Sequence, residues 1–159
     1  MIWLIDGRSG SGKTTFARRA HNTLGWPVVH IEDAYPGWSG LAEGSASVAE
    51  EMLNPRRPGF RRWDWYADRF AEFVPTDPTQ SMIIEGCGAV TAANIAAARR
   101  FGPVWPIWVE LDAETRYRRA MARDGNFGPF WHMWARQEDA HIGAHQPQQL
   151  AVWTLHTRA

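Results

Sequence analysis

Gly7-Arg8-Ser9-Gly10-Ser11-Gly12-Lys13-Thr14 fits the pattern Gly-x-x-x-x-Gly-Lys-Ser/Thr without a gap. The pattern carries a mechanism. Its glycines let successive backbone N–H groups turn inward around phosphate oxygens, and the helix that follows adds the positive end of its dipole. The stretch from Gly7 through Thr15 is therefore the candidate phosphate cradle. Lys13 would reach the β- and γ-phosphates of a nucleotide, and the Thr14 hydroxyl would bind Mg²⁺.

The flanking residues agree with a strand–loop–helix unit. Ile2-Trp3-Leu4-Ile5 is a short apolar run of the kind a buried parallel strand requires. Beyond Lys13, Phe16, Ala17, Ala20 and Leu24 recur at helical spacing, with Arg18, Arg19 and Asn22 on the other side. Gly25 and Pro27 stop the helix.

The chain has 159 residues, enough for one domain with a full core. Apolar residues make up 45% and charged residues 21%, as in ordinary globular proteins. The formal net charge is zero, so no sequence-wide basic field argues for a nucleic-acid polymer as partner. No apolar run approaches the roughly 18 residues of a membrane span. The chain enters a strand at once, without a signal-peptide pattern, and Cys87 is its single cysteine. These features fit the cytoplasm. Ten tryptophans are many for this length; packing is the main expectation for them, with base stacking as the rival.

Strands are expected at Ile2–Asp6, Val28–Glu32, Met82–Glu85, Val104–Leu111 and Leu150–Leu155. Helices are expected at Lys13–Leu24, about Ser45–Leu53, Trp65–Phe73, Ala92–Phe101, Ala113–Arg123 and about Phe130–Ala144. This alternation implies parallel βαβ units in a three-layer α/β/α sandwich. In an open parallel sheet the ligand sits at the carboxyl ends of the strands, so the residues just past each strand matter most.

Past the second strand, Asp33 is placed to accept a proton from an acceptor hydroxyl, with Glu32 as rival for that task. Past the third, Glu85 ends Ile83-Ile84-Glu85-Gly86, the Walker B position that helps hold Mg²⁺. Past the fourth, Asp112 suits an N-cap. Arg116, Arg119 and Arg123 then share one helix face, where they could neutralise charge on a transferred phosphoryl group. The plainer reading of that face is solvated and basic, paired to Glu114 or Asp124. Arg61-Arg62-Trp63-Asp64-Trp65 is the remaining distinctive cluster. Arg61 or Arg62 could bind a phosphate, Asp64 a substrate hydroxyl, and a tryptophan could cover a ring. An ion-paired, Trp-packed surface is the alternative. His141 and His145 stand four apart without an evident third ligand, so zinc is not expected. Cys87 reads as packing rather than as a nucleophile.

With these elements placed, the chain resembles the P-loop small-molecule kinases, most of all the uridine kinase and phosphoribulokinase branch. The likeness rests on residues Ile5–Thr15, Asp33 with Tyr35, Ile83–Gly86, and the run from Arg119 to Asp124. A second likeness, to small bacterial uridine-kinase-like ATP-binding proteins, covers most of the chain. It rests on Asp33–Trp38, Arg61–Trp65, Glu85–Gly88 and Trp131–Glu138. The resemblance implies a five-stranded parallel sheet in the order 2-3-1-4-5, ATP with Mg²⁺, and a catalytic Asp at 33. It also implies an acceptor-covering segment at about 34–80 that includes Tyr35, and a lid at about 112–130 carrying Arg119 and Arg123. Residues 1–159 would form one such domain. Adenine contacts would come from that lid or from His156–Ala159. The function expected is transfer of the γ-phosphoryl group of ATP to a small hydroxyl-bearing acceptor, a nucleoside first. A nucleoside-monophosphate kinase of the cytidylate type is the alternative within the class. An ATP-binding or ATP-hydrolysing switch, or a binding module, is the alternative outside it.

Overall fold

Ile2–Asp6 (β1) is apolar on both faces, and that places it at the centre of a sheet. In the computed structural model, which describes residues 1–123 and 125–158, β1 pairs in parallel with Met82–Glu85 (β5) and with Val104–Glu110 (β6). Val28–His30 (β2) pairs with β5, and Trp153–His156 (β7) pairs with β6, again in parallel. The order of this five-stranded sheet is β2-β5-β1-β6-β7. Counted along the parallel strands alone, it is the expected 2-3-1-4-5. Gly59–Asp64 (β3) and Arg69–Pro75 (β4) stand apart as an antiparallel pair. Asp124 and Ala159 lie outside the described residues.

Alternation along the strands divides the core in two. Ile2, Leu4, Met82 and Ile84 pack on one side with Val48, Met52 and Ile95. Ile5, Ile83, Ile107 and Val109 pack on the other with Ala17 and Ala20 of Lys13–Leu24 (α1). Trp3 belongs to this second layer. It stacks on Trp105 at 5.8 Å and on Phe16 at 6.2 Å, with Trp26 edge-on at 5.4 Å. These tryptophans pack.

The helix ends follow local chemistry. Gly25 closes α1 in the left-handed region, and its N–H donates to His21 O at 2.8 Å. Leu41–Ser47 (α2) runs on into a π-turn at Val48–Met52, so the helix expected from about Ser45 begins earlier. Thr91 caps Ala92–Arg99 (α3) by accepting from Asn94 N, and Asp112 caps Ala113–Arg123 (α4) by accepting from Thr115 N at 2.9 Å. Trp131–His145 (α5) and Pro147–Leu150 (α6) follow. Leu150 thus closes a short helix, and the last strand starts at Trp153. Among the described residues no helix is long and apolar enough to cross a membrane.

Two differences from the sequence reading matter for the site. The second strand ends at His30, and Ile31–Ala34 forms a 3₁₀ turn that carries Glu32 and Asp33. The helix expected at Trp65–Phe73 is instead the turn and second strand of the β3–β4 hairpin. Asp64 makes that turn, since its Oδ1 accepts from Tyr66 N at 3.0 Å and Ala67 N at 2.9 Å. Asp68 takes a left-handed φ of 51°, which a helix cannot contain.

Asp6 joins the sheet to the loops above it. Its Oδ1 accepts from Gly7 N at 2.7 Å and Gly88 N at 3.0 Å, and its Oδ2 from Val90 N at 2.9 Å. His141 Nε2 lies 3.3 Å from the same Oδ2. Asp6→Ala would strand these buried donors. The expected loss is roughly 3 kcal/mol, read from the urea midpoint; an unchanged midpoint would show that water or a rearranged loop replaces the carboxylate.

Candidate active site

The glycine-rich loop lies against backbone, and this explains two of its residues. Gly10 has φ 79°, and a Cβ there would stand 2.3 Å from Arg116 O. A Cβ on Gly7 would stand 2.4 Å from Val109 O. Lys13 Nζ donates to Arg8 O at 3.0 Å and to Cys87 Sγ at 3.5 Å. Burial acts to lower the Lys13 pKa, but the Cys87 sulfur and the Glu85, Glu138 and Asp6 carboxylates outweigh it and hold the ammonium above its ordinary value. Ser9 N donates to the buried Glu138 Oε1 at 2.6 Å, and the Arg8 guanidinium bridges Glu138 and Asp139.

Glu85 ends β5 beside this loop. Its Oε1 accepts from Thr14 Oγ1 at 3.0 Å and meets His30 Nδ1 at 2.5 Å. The hydrogen bond to Glu85 raises the His30 pKa, against partial burial and with help from Glu32 and Asp33. A hydroxyl and a carboxylate oxygen this close form a hard-oxygen donor pair that fits Mg²⁺. Among the described residues no cluster of three or more His, Cys, Asp or Glu would hold a metal unaided. A bound Mg²⁺ would therefore draw further ligands from water and phosphate, as Mg²⁺ sites commonly do.

A cavity of about 500 Å³ opens in front of Lys13, Thr14 and Glu85 and extends past Glu32 and Asp33. Burial raises the Asp33 pKa above the ordinary carboxylate value, with His30 and Arg62 opposing. Burial and the nearby Glu85 raise that of Glu32, with Arg123 opposing. The far wall is aromatic. Trp38 stacks on Phe130 at 4.4 Å and on Phe127 at 5.3 Å, and meets Trp65 edge-on at 5.2 Å. Tyr35 packs on Trp134 at 4.9 Å, and its buried hydroxyl donates to Cys87 O at 2.6 Å. Tyr35 thus contributes its ring to the wall, while its hydroxyl is occupied.

The structure does not bring Arg61, Arg62 or Asp64 to this cavity. The hairpin turns them to other partners. Arg61 donates to Ala71 O at 3.0 Å, Arg62 forms a two-point pair with Glu72, and Asp64 holds the turn. The three α4 arginines also diverge. Arg123 lines the cavity. Arg116 is buried behind the loop, donating to Leu111 O and Ser9 O. Arg119 donates to Arg158 O at 2.6 Å and lies beside Gly12. Thr157, next to it, donates to Ser11 O at 2.7 Å, so the chain beyond β7 rests on the phosphate loop.

His30, Glu138, Trp38, Phe127, Phe130 and Trp134 were not singled out by the sequence as site residues. His30 had a signal, since it stands at a strand end just before Glu32 and Asp33. Glu138 and Trp134 lay inside the Trp131–Glu138 stretch that carried a resemblance, without any sign that a distant helix would reach the loop.

No family model matches the chain, and no curated protein is similar to it in sequence. Solved structures are similar in fold. A sugar kinase from Janibacter sp. HTCC2649 matches with a TM-score of 0.58 at 22% identity, over 98% of this chain and 84% of its own. A shikimate kinase from Acinetobacter baumannii, in complex with shikimate, matches with a TM-score of 0.56 at 20% identity, over 99% and 83%. A gluconokinase from Sinorhizobium meliloti 1021 matches with a TM-score of 0.54 at 14% identity, over 98% and 79%. The five-stranded parallel α/β fold is the one this chain shares with these kinases.

Cys87 sits between the loop and Glu138, and burial pushes its thiol up to about 12. A folded pKa above the unfolded one keeps the thiol neutral in the native state. The stability this contributes is present below the unfolded value of about 9 and is lost as pH rises toward 12. At pH 8 the folded protein should therefore react with iodoacetamide far more slowly than the urea-unfolded chain. Equal rates would show an accessible thiolate.

Proposed function

We propose that this chain is an ATP-dependent phosphotransferase that moves the γ-phosphoryl group to a hydroxyl of a small acceptor, a nucleoside first, as in the uridine-kinase-like branch. One observation carries the reading: Lys13 and Thr14 of the phosphate loop share a single cavity with the Asp33 carboxylate. Donor and acceptor machinery thus face the same space.

In this reading Asp33 takes the proton from the acceptor hydroxyl as that oxygen bonds to the γ-phosphorus. The bond from the γ-phosphorus to the β–γ bridging oxygen breaks, and ADP leaves. Lys13 and Arg123 neutralise charge on the phosphoryl oxygens, with Arg119 beside the loop. Thr14 and Glu85 would hold Mg²⁺, which supplies charge neutralisation at the phosphates when bound. Residues 1–159 act as one domain, with 112–130 as lid and 34–80 covering the acceptor. A cytoplasmic setting suits a protein that draws on ATP. A nucleoside-monophosphate acceptor would need a phosphate clamp; Arg62, the obvious one, is paired with Glu72 and does not line the cavity, which favours the nucleoside in this reading.

Asp33→Asn should lower transfer by roughly 10²- to 10⁴-fold while ATP affinity holds, measured by ATP consumption over a panel of nucleosides, sugars and cofactor precursors. Retained activity would exclude Asp33 as the base. Lys13→Ala should weaken ATP binding itself. The base works only when deprotonated, and its folded pKa is raised. Activity should therefore fall as pH drops through a value above the ordinary carboxylate range, and this acid limb should be absent from residual Asp33→Asn turnover.

A further inference from the structure

The proposed chemistry uses Asp33 and leaves its neighbour Glu32 without a task. Both line the cavity, and with Glu85 they put three carboxylates on its wall among the described residues. The cations on that wall, among the described residues, are Lys13 and Arg123. Arg62 and His30 act on Asp33 from outside it and are paired to Glu72 and Glu85. Lys13 is tied into the phosphate loop, and Arg123 bears on Glu32. Both are the groups the ATP phosphates call on. The remaining surface toward the acceptor is aromatic, built from Trp38, Trp65, Phe127 and Phe130. Trp65 Nε1 donates to Glu32 O at 3.2 Å, so the hairpin tip and the 3₁₀ turn are joined, and ring and carboxylate belong to one wall.

Such a wall suits a flat or apolar ring, which gains contact area against the aromatics. It does not suit an anion. A carboxylate or phosphate on the acceptor would meet Glu32, Asp33 and the ATP phosphates together, while the described cations nearby are already engaged by carboxylates, by the loop or, in this reading, by ATP. We infer that the acceptor is an uncharged, ring-bearing alcohol, and that Glu32 is the specificity residue that refuses anionic acceptors. The inference rests on the phosphotransferase reading and narrows its substrate.

Two probe pairs keep the hydroxyl and ring and change the charge: uridine against 5-carboxyuridine, and methyl shikimate against shikimate. Initial rates with ATP should give the neutral member of a used pair a kcat/KM at least tenfold above its anionic partner. Glu32→Gln should narrow that ratio severalfold, mainly through a lower KM for the anion, with the KM for ATP unchanged. Glu32→Asp should restore the ratio. Trp38→Ala should raise KM for the neutral member. An anion used as well as its neutral partner, or a ratio unmoved by Glu32→Gln, overturns the inference and leaves the kinase reading standing. Tryptophan fluorescence titrations in the presence of a non-hydrolysable ATP analogue separate the other failures. Tighter binding of the neutral probes with no transfer to any acceptor supports the charge rule and overturns the kinase reading. Binding of the analogue with no binding of uridine or methyl shikimate overturns the acceptor inference.

Discussion

A single buried carboxylate sets the geometry of the phosphate loop. Asp6 ends the central strand and accepts N–H groups from Gly7 on its own loop and from Gly88 and Val90 beyond β5. The carboxyl ends of two neighbouring parallel strands are thereby held in fixed register. The approach of Thr14 to Glu85 follows, because one residue lies in the first turn of α1, directly after that loop, and the other ends β5. Glu138 extends the same logic to α5, where it accepts Ser9 N and pairs with Arg8. Satisfied buried networks of this kind are rigid, and rigidity is what a site working by position and charge requires.

The parts that depend on neighbours in sequence were legible. The loop, the strand before it, the helix after it, the Asp112 cap and the acidic strand ends each follow from a short run of residues. The hairpin departs from its sequence pattern for a definable reason. Trp65, Arg69 and Phe73 fall four apart and suggest a helix face, whereas Phe70 and Phe73 cannot both lie on one face of an unbroken strand. The stronger signals were the bounds, Pro58-Gly59 and Pro75, and an Asp64 able to turn the chain on itself. His30 and Glu138 could not be assigned, because each acts on a partner brought close only by the fold: Glu85 for the first, Ser9 for the second.

The α4 arginines show how helical spacing can be right and still mislead. Residues at i, i+3 and i+7 share a face, but that face rises about 1.5 Å per residue along the axis. Arg116 at one end therefore meets the underside of the loop, Arg119 the chain beyond β7, and Arg123 the cavity mouth. The identity of a row of charges does not fix a common duty. What each one touches depends on which edge of the sheet has arrived opposite it.

The two halves of the cavity differ in how they are encoded. The glycine-rich side is one contiguous stretch, Gly7 through Thr14, whose glycines let its backbone lie against Val109 and Arg116. The acceptor side is assembled from four separate places: Trp38 after the 3₁₀ turn, Trp65 at the hairpin tip, Phe127 and Phe130 before α5, and Trp134 on it. Each ring is held by the others, and none is specified by its own neighbours. Such a wall can change composition one segment at a time while the donor side stays constant. In the proposed phosphotransferase reading, selection for the acceptor therefore falls to this aromatic wall and the carboxylates beside it.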